Sequence, residues 1–317
     1  MPATENFHKM ASFKSKFLIG ILRHRHIFRG RLKKEKMNLD VVEVLSFRET
    51  CEKGAARMGK LPRGITVQQE LLNMVLSEWL IPANAPDGKL IFYVHGGGYV
   101  SGSCNDHRTV VSKIALKTKI TALLYEYGLA PENPFPASIF DSINVYQKVL
   151  EKGYLPENII MMGESAGGGL CLALLQALRD KNIPLPKAAV AIQPWTDLSC
   201  SGASYKTKNN LSLAPLNCWN VFSHYYVAKN DVRNPYISPL FGNLTGLPPI
   251  YINVGDSDEL YDDSIRFYEK AKQAGTDITL KEGRGMIHCY PLLAPLFREA
   301  TEAMDEIVGF VTTNLQK

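Results

Sequence analysis

The chain has 317 residues, of which 45% are hydrophobic and 21% charged, as in an ordinary globular protein, and no apolar run approaches the ~20 residues of a membrane span. The formal net charge is +5, but ten Lys/Arg and one acid between Lys9 and Lys36 give that arm +9, while the remaining 26 Lys/Arg and 30 Asp/Glu give −4. The basic character is therefore local, and a general nucleic-acid-binding surface is not indicated.

The basic N-terminal arm is the first predicted element. Its apolar stretch, FLIGIL, is shorter than the about 7 to 15 apolar residues of a secretory signal and is followed by RHRH, so we expect it to be mature sequence. One helical stripe contains Phe13, Phe17, Leu18, Ile21 and Leu22. We predict that this stripe forms part of a helical cap, and contact of the arm with a membrane is the less favoured alternative.

Eight strands are predicted beyond the arm. GITVQQELL and the segment ending in EWLIP alternate apolar and polar residues, which is typical of antiparallel strands with one exposed face. Strands buried on both faces of a parallel sheet are indicated by KLIFYV, KITALLYEY, IIMM, AAVAIQ and PIYINV, and DITLKE is the last strand. Helical patterns lie between them, at 110–117, 139–151, 168–179, 264–274 and 294–314. The alternation predicts a mostly parallel eight-stranded sheet with helices on both faces.

A long interval between two strands predicts a cap insertion. About fifty residues separate Leu198 from Pro248, where a crossover usually needs far fewer. The aromatic-rich segment LAPLNCWNVFSHYYV inside it is compatible with a helix, and we predict that Trp219, Phe222 and Tyr226 pack with the N-terminal stripe over an acyl pocket. The predicted division is an N-terminal cap segment at 1–55, a core at 56–199 and 233–317, and a cap insertion at 200–232.

A serine between glycines marks the expected nucleophile. Gly163 to Gly167, GESAG, stands between a predicted buried strand and a predicted buried helix. Glycines at such a corner permit a tight turn that projects the Ser165 hydroxyl at the carboxyl edge of the sheet, where ligands bind. A phosphate-binding loop is the alternative, but the Lys-Ser/Thr of a P-loop is missing and the motif comes late in the chain.

The motif HGGGY, His95 to Tyr99, directly follows the strand LIFYV. Three consecutive glycines allow backbone N–H groups to approach a ligand, as in the second half of the oxyanion hole of lipase-type hydrolases. We expect His95 itself to organise this loop through a hydrogen bond to the backbone.

The base and the acid should follow Ser165 in the chain order of this fold. Of the seven histidines, only His224 and His288 do so; His224 lies in the cap segment and His288 in the loop GMIHCYP after the last strand, so we predict His288 as the base. The acid should follow PIYINV, where spacing alone does not choose between Asp256 and Asp258.

Six segments together resemble the hormone-sensitive-lipase-like family of α/β-hydrolases: HGGGY, GESAGG, YGLAPENPFPA, PWTDL, SDEL and GMIHCYP. The resemblance covers about Leu61 to Phe310. It implies the α/β-hydrolase fold with a helical cap, and a serine carboxylesterase that hydrolyses short- to medium-chain carboxylic esters through an acyl-enzyme intermediate.

The resemblance also implies the site residues. Its triad is Ser165, Asp258 and His288, and Asp258 is preferred over Asp256 because DEL matches the family's Asp-x-Leu. Its oxyanion hole consists of the N–H groups of Gly97, Gly98 and Ala166. Three positions depart from residues common in the family and bear on substrate preference: Glu164 for Asp or Thr, Gly128 for Arg, and Glu259 for Pro.

No metal or organic cofactor is expected, and the expected partner is a small-molecule ester. Six scattered cysteines without a C-x-x-C pair favour free thiols in a reducing compartment, which predicts a cytoplasmic protein. An amide in place of the ester, and a homodimer, stay open. A non-catalytic receptor on the same fold would not need His288, so the presence of this residue favours an enzyme.

Overall fold

The structure, a computed structural model, describes residues 11–24, 33–55 and 60–316. These residues form one eight-stranded sheet, as predicted. Its strands are β1 (Ile65–Leu72), β2 (Val75–Pro82), β3 (Leu90–Val94), β4 (Thr121–Tyr125), β5 (Ile159–Glu164), β6 (Ala188–Ile192), β7 (Ile250–Gly255) and β8 (Ile278–Gly283).

The strand order is β1-β2-β4-β3-β5-β6-β7-β8. β2 pairs antiparallel with both β1 and β4, and all other neighbours run parallel. The carboxyl ends of β3, β5, β6, β7 and β8 therefore meet at one edge of the sheet, where the loops that follow these strands lie close together.

Helices cover both faces of the sheet, as the alternation predicts. They are α1 (Phe13–Arg23), α2 (Val41–Ala55), α3 (Cys104–Thr118), α4 (Ala137–Glu151), α5 (Ala166–Asp180), α6 (Ser204–Thr207), α7 (Cys218–Val227), α8 (Tyr261–Gln273) and α9 (Arg298–Gln316). Phe92 and Val94 of β3 face a core cluster with α4, α5 and α8, whereas Ile91 and Tyr93 face a second cluster with α3 and α9. Within the described ranges, no helix is both long and apolar enough to cross a bilayer.

Two cap helices and the N-terminal helices lie at the carboxyl edge of the sheet. α6 and α7 follow β6, within the long interval that the sequence singled out. The segment before α2 forms an isolated parallel bridge between Lys36 and Leu216. The N–H of Met37 donates to the Leu216 carbonyl (2.9 Å), and the N–H of Leu216 donates to the Glu35 carbonyl (2.8 Å). The chain before α2 is thereby fastened to the loop before α7.

The predicted packing of the α1 stripe against Trp219, Phe222 and Tyr226 is wrong, because none of the five stripe residues joins the core cluster that contains these rings. Phe13, Phe17 and Ile21 are 86%, 61% and 39% exposed, whereas Ser15 and Ile19 are buried. Ile19 joins a small core cluster with residues of the last loop and α9, and the remaining stripe residues, Leu18 and Leu22, pack partly against this cluster.

Polar anchors explain this orientation of α1. The Ser12 hydroxyl donates to Glu299 Oε2 (3.1 Å) and the Ser15 hydroxyl to Glu299 Oε1 (3.3 Å). Glu299 is buried at the start of α9, and a buried carboxylate needs hydrogen-bond donors. The helix therefore turns its serine side inward and leaves the phenylalanines outside.

Candidate active site

Ser165 stands at the strained corner between β5 and α5. Its φ and ψ are 56° and −124°, a left-handed backbone conformation that non-glycine residues rarely adopt. A Cβ atom on Gly163 would lie 2.4 Å from the Gly167 carbonyl oxygen, and one on Gly167 would lie 2.2 Å from the Val94 carbonyl oxygen. Only glycine fits at either flank, and the close turn holds the Ser165 side chain at the carboxyl edge of the sheet.

Three backbone amides beside Ser165 are free to donate. Within the described residues, the N–H groups of Gly97, Gly98 and Ala166 have no hydrogen-bond acceptor, whereas that of Gly96 donates to the Glu164 carboxylate. Gly97 and Gly98 have φ values of 115° and 66°, which only glycine adopts without strain. Free amides that converge next to a nucleophile can stabilise a developing oxyanion.

His288 and Asp258 form a hydrogen-bonded pair. His288 Nδ1 lies 3.1 Å from Asp258 Oδ1. The fully buried Asp258 also accepts hydrogen bonds from the Leu260 N–H (3.0 Å), the Gln193 side-chain amide (3.3 Å) and the Ser212 hydroxyl (3.4 Å). Burial raises the pKa of Asp258, but the charge and hydrogen bond of His288 and the other donors outweigh it, so the pKa lies below its ordinary value. The carboxylate is ionised and can orient the imidazole.

One cavity of about 310 Å³ brings these groups together. Ser165 and His288 both lie in its wall, although within the described residues no hydrogen bond joins their side chains. Such contacts are often long before substrate binds. The complete lining is Phe47, Gly96, Gly97, Gly98, Glu164, Ser165, Leu213, Ala214, Pro215, Trp219, Phe222, His288 and Cys289.

The other residues considered from the sequence lie outside this cavity. Asp256 Oδ1 accepts from the Gly285 N–H (2.7 Å) and holds the loop rather than His288. His224 is exposed on α7. The placement of Tyr226 over the pocket is wrong: its ring is fully buried and stacks on Tyr99 at 3.8 Å. In the described parts of the chain, no three His, Cys, Asp or Glu side chains cluster so as to hold a metal ion.

Phe47 is a wall residue that the sequence did not reveal, since nothing in its pattern distinguishes it from its neighbours. Its ring centroid lies 5.1 Å from that of Phe222. The next residue, Arg48, fixes α2 by donating to the carbonyls of Val100 (2.7 Å) and Ala130 (2.8 Å) and to both Glu132 carboxylate oxygens (2.9 and 2.8 Å). The N-terminal helix that covers the pocket is therefore α2 rather than α1.

Glu259 supports a second wall of the cavity. Its carboxylate is 3% exposed and accepts a 3.0 Å hydrogen bond from Trp219 Nε1. Burial raises the pKa of Glu259, and the hydrogen bonds from Trp219 and Ser212 only partly offset this effect. The Trp219 ring in turn packs edge-on against His288, with centroids 5.7 Å apart. The sequence signal was the replacement of the family's common Pro by Glu.

Two histidines lie beneath the glycine loop. His95 stacks on Tyr127 at 4.1 Å, and burial together with the charge of His107 lowers the pKa of His95 to about 4. His95 is thus neutral, and its Nδ1 lies 2.8 Å from the Gly96 carbonyl, which confirms the predicted backbone hydrogen bond.

His107 Nε2 lies 2.8 Å from Glu164 Oε1, and its Nδ1 contacts Asp106. Burial lowers the pKa of His107, but the Glu164 and Asp106 carboxylates outweigh burial and raise it to about 10. Because Glu164 also accepts the Gly96 N–H, an imidazolium ion at His107 links the glycine loop to the corner at Ser165.

Comparison with known proteins identifies a family and several relatives of this chain. Residues 91–292 match a family described by its alpha/beta hydrolase fold. An acetyl-hydrolase of Streptomyces hygroscopicus is 39% identical over 241 residues, which cover 75% of this chain and 79% of the relative. The crystal structure of EstE5 soaked with p-nitrophenyl butyrate has 36% identity and a TM-score of 0.88, covering 97% of this chain and all of that one. An esterase from the bacterial hormone-sensitive lipase family has 32% identity and a TM-score of 0.87, with 97% and 100% covered.

Proposed function

The chain belongs to the α/β-hydrolase family, among its hormone-sensitive-lipase-like esterases, and from this membership we propose that it is a serine carboxylesterase with Ser165, His288 and Asp258 as its triad. The observation that supports this assignment is that the same cavity is lined by three groups. They are Ser165 at its strained corner, the glycine loop with its free amides, and the ring of His288. These are the groups that acyl transfer to a serine requires.

The mechanism follows from these positions. His288 takes the proton of the Ser165 hydroxyl as its oxygen attacks the ester carbonyl, and Asp258 holds Nδ1–H and stabilises the imidazolium. The N–H groups of the proposed oxyanion hole, Gly97, Gly98 and Ala166, bind the negative oxygen of the tetrahedral intermediate. His288 then protonates the leaving alkoxide, which departs as the alcohol. Water, deprotonated by His288, attacks the acyl-enzyme in the same way and releases the carboxylate.

We propose short- to medium-chain esters as substrates. A cavity of about 310 Å³ lies at the lower end of ligand pockets, which are ~300–1,000 Å³. Its walls include the rings of Phe47, Trp219 and Phe222, which suit an aliphatic acyl chain. The acetyl-hydrolase relative and the butyrate ester soaked into EstE5 belong to the same size range. None of the six cysteines, which all lie in the described part of the chain, forms a disulfide, and this supports a cytoplasmic location.

The test of the nucleophile is the Ser165→Ala variant, assayed with p-nitrophenyl acetate, butyrate, octanoate and palmitate. Removing the nucleophile of a triad lowers turnover by about 10⁶-fold, and we expect a loss of that order on each ester that the wild type hydrolyses. Ser46→Ala, at an exposed serine of α2, is the matched control and should keep wild-type rates. Mass spectrometry after treatment with a fluorophosphonate should locate the adduct on Ser165. Normal turnover in Ser165→Ala, or an adduct on another residue, would contradict the mechanism.

A further inference from the structure

Helix α1 presents an apolar line to solvent. Phe13, Phe17 and Ile21, spaced by four residues, lie on one side of the helix and are 86%, 61% and 39% exposed. Single exposed apolar side chains are ordinary on a soluble protein, but several large ones side by side mark an interaction surface. We call Phe13, Phe17 and Ile21 the apolar line of α1.

This orientation is fixed by contacts on the opposite side of the helix. The Ser15 hydroxyl reaches the buried Glu299 carboxylate, Ile19 is buried in the cluster with Met286, and the Arg23 guanidinium donates to the Leu211 carbonyl (3.0 Å). If the helix rotated its apolar line inward, Glu299 would lose its hydrogen bonds from Ser12 and Ser15, and Ile19 would leave its apolar cluster. The line therefore faces outward as a consequence of packing.

Helix α1 lies near the pocket through the side opposite its apolar line. Leu213, which lines the cavity, also packs against the cluster that holds α1. On another side of the cavity, α2 inserts Phe47 and exposes Val41 (41%), Val42 (66%) and Leu45 (41%) on its outer surface. Leu39, just before the helix, is 61% exposed. Helices α1 and α2, which both expose apolar side chains, thus lie next to the substrate cavity.

Two exposed lysines flank the apolar line, within a segment of strongly positive sequence. Lys14 and Lys16, on the same helix, are exposed, and residues 9–36 carry a net +9, while the rest of the chain carries −4. Apolar side chains flanked by lysines, on an otherwise acidic protein, complement a surface that offers both hydrocarbon and negative charge. An anionic lipid bilayer is such a surface.

We propose that the apolar line of α1, with Lys14 and Lys16 beside it, docks this protein on anionic lipid surfaces and turns the substrate cavity toward them. Phe13, Phe17 and Ile21 enter the boundary between headgroups and acyl chains, and Lys14 and Lys16 pair with lipid phosphates. Binding of this kind does not require Ser165, so it stands or fails apart from the catalytic assignment. It reverses the expectation that the stripe closes over the acyl pocket.

The test is co-sedimentation of the full chain with vesicles of phosphatidylcholine alone and of phosphatidylcholine with phosphatidylglycerol. We expect wild type to bind the anionic vesicles and to dissociate as salt screens the lysines. The triple variant Phe13→Gln/Phe17→Gln/Ile21→Gln should bind the anionic vesicles at least about ten-fold more weakly than wild type, because three large apolar side chains no longer enter the bilayer. Its hydrolysis of p-nitrophenyl acetate should equal that of wild type, which shows that the fold is intact.

The matched control replaces exposed apolar residues elsewhere, as Met74→Gln/Phe140→Gln/Leu155→Gln; these are 85%, 52% and 53% exposed. This variant should bind like wild type. Failure of wild type to bind anionic vesicles, or equal binding by both triple variants, would overturn the proposal. So would a wild-type dimer in light scattering that becomes a monomer only in the α1 variant, since a second copy of the chain would then cover the line.

Discussion

Asp256 and Asp258 stand two residues apart in the loop after β7, yet their side chains do different work. Asp258 Oδ1 faces His288, while Asp256 Oδ1 binds the Gly285 N–H. Asp258→Asn should lower turnover by about 10⁴-fold, because an amide stabilises the wrong tautomer of the base. Asp256→Asn is the matched control, and we expect turnover close to wild type. Steady-state kinetics with p-nitrophenyl butyrate measures turnover of both variants. Equal losses of turnover would mean that Asp258 is not the acid.

Glu259 gives a second prediction at this scale. Glu259→Ala leaves the buried Trp219 Nε1–H without its acceptor, and an unsatisfied buried donor costs about 1–3 kcal/mol. We expect KM for p-nitrophenyl butyrate to rise roughly ten-fold as the indole loses its fixed position, with a smaller change in kcat. Glu259→Gln keeps an acceptor and should stay near wild type.

Trp219→Phe removes the donor instead of the acceptor, so combining it with Glu259→Ala completes the measurement. If the hydrogen bond is what matters, the double variant should be no worse than the poorer single variant. Additive losses would mean that Glu259 acts on the pocket by another route.

The sequence predicted the candidate site residues that belong to a recognisable motif. It did not predict those that only tertiary packing brings to the cavity. The corner at Ser165 and the glycines at 97 and 98 could be identified because the backbone there leaves no room for a Cβ atom and so requires glycine. The choice between Asp256 and Asp258 needed the family resemblance, since both residues follow β7 closely enough to serve as the acid. Phe47 carries no local signal; it becomes a wall residue only because α2 folds back onto the loop after β3.

Helix α2 is held over the cavity chiefly by Arg48, which makes four hydrogen bonds to the loops after β3 and β4. Arg48→Ala should loosen the helix and displace Phe47 from the pocket. We expect kcat/KM for p-nitrophenyl octanoate to fall about ten-fold, and that for the acetate to change by about two-fold or less, since a longer acyl chain uses more of the apolar wall.

The control for Arg48 lies on the same helix. Lys53 pairs with Glu49, and both side chains are exposed (71% and 64%), so Lys53→Ala should leave both rates unchanged. If octanoate and acetate suffered equally in Arg48→Ala, the arginine would be supporting the glycine loop rather than the acyl wall.

The elements themselves were predictable to different degrees. Buried parallel strands can be recognised in the sequence as short apolar runs. All eight predicted strands are present in the structure. The orientation of α1 was not predictable, because an amphipathic pattern identifies an apolar side without stating what covers it. Here the polar pair of Ser15 and Glu299, 284 residues apart, decides the orientation, and no local pattern contains that information.

For the molecule as a whole, the strand order could not be derived from the sequence. The parallel strands β3 to β7 are buried on both faces, so their side chains do not specify which strand lies next to which. Connectivity rules favour neighbours in sequence, yet β4 stands between β2 and β3. The placement of the cap over the sheet edge was predictable, because an insertion after a strand's carboxyl end has nowhere else to lie.

Global stability should depend on pH through His107. Its pKa is about 10 in the folded protein, against an ordinary value of ~6.5, so the folded state binds a proton that the unfolded state loses first. The stabilisation is complete below pH ~6.5 and disappears as pH rises through about 10. In urea unfolding, His107→Gln should therefore be less stable than wild type at pH ~6.5, and the difference should shrink toward pH ~10.

The exposed His224 supplies the control, as His224→Gln. Its unfolding curve should follow that of wild type across the whole range of pH. A constant difference between wild type and His107→Gln would show that the ring contributes packing only, with no change in proton binding on folding.

The bridge between Lys36 and Leu216 also fixes an order in time. A ribosome releases the N-terminal segment first, but its partner appears only 180 residues later, which takes roughly 9 to 36 s at ~5–20 residues per second. During that interval Ile19 of α1 and Phe47 of α2 lack their contacts with Met286 and Phe222, which have not yet been synthesised. His288 and the Glu299 that anchors α1 emerge later still. Helices α1 and α2 are thus made before the residues that fix them, and a nascent chain gains its activity only after His288 has emerged.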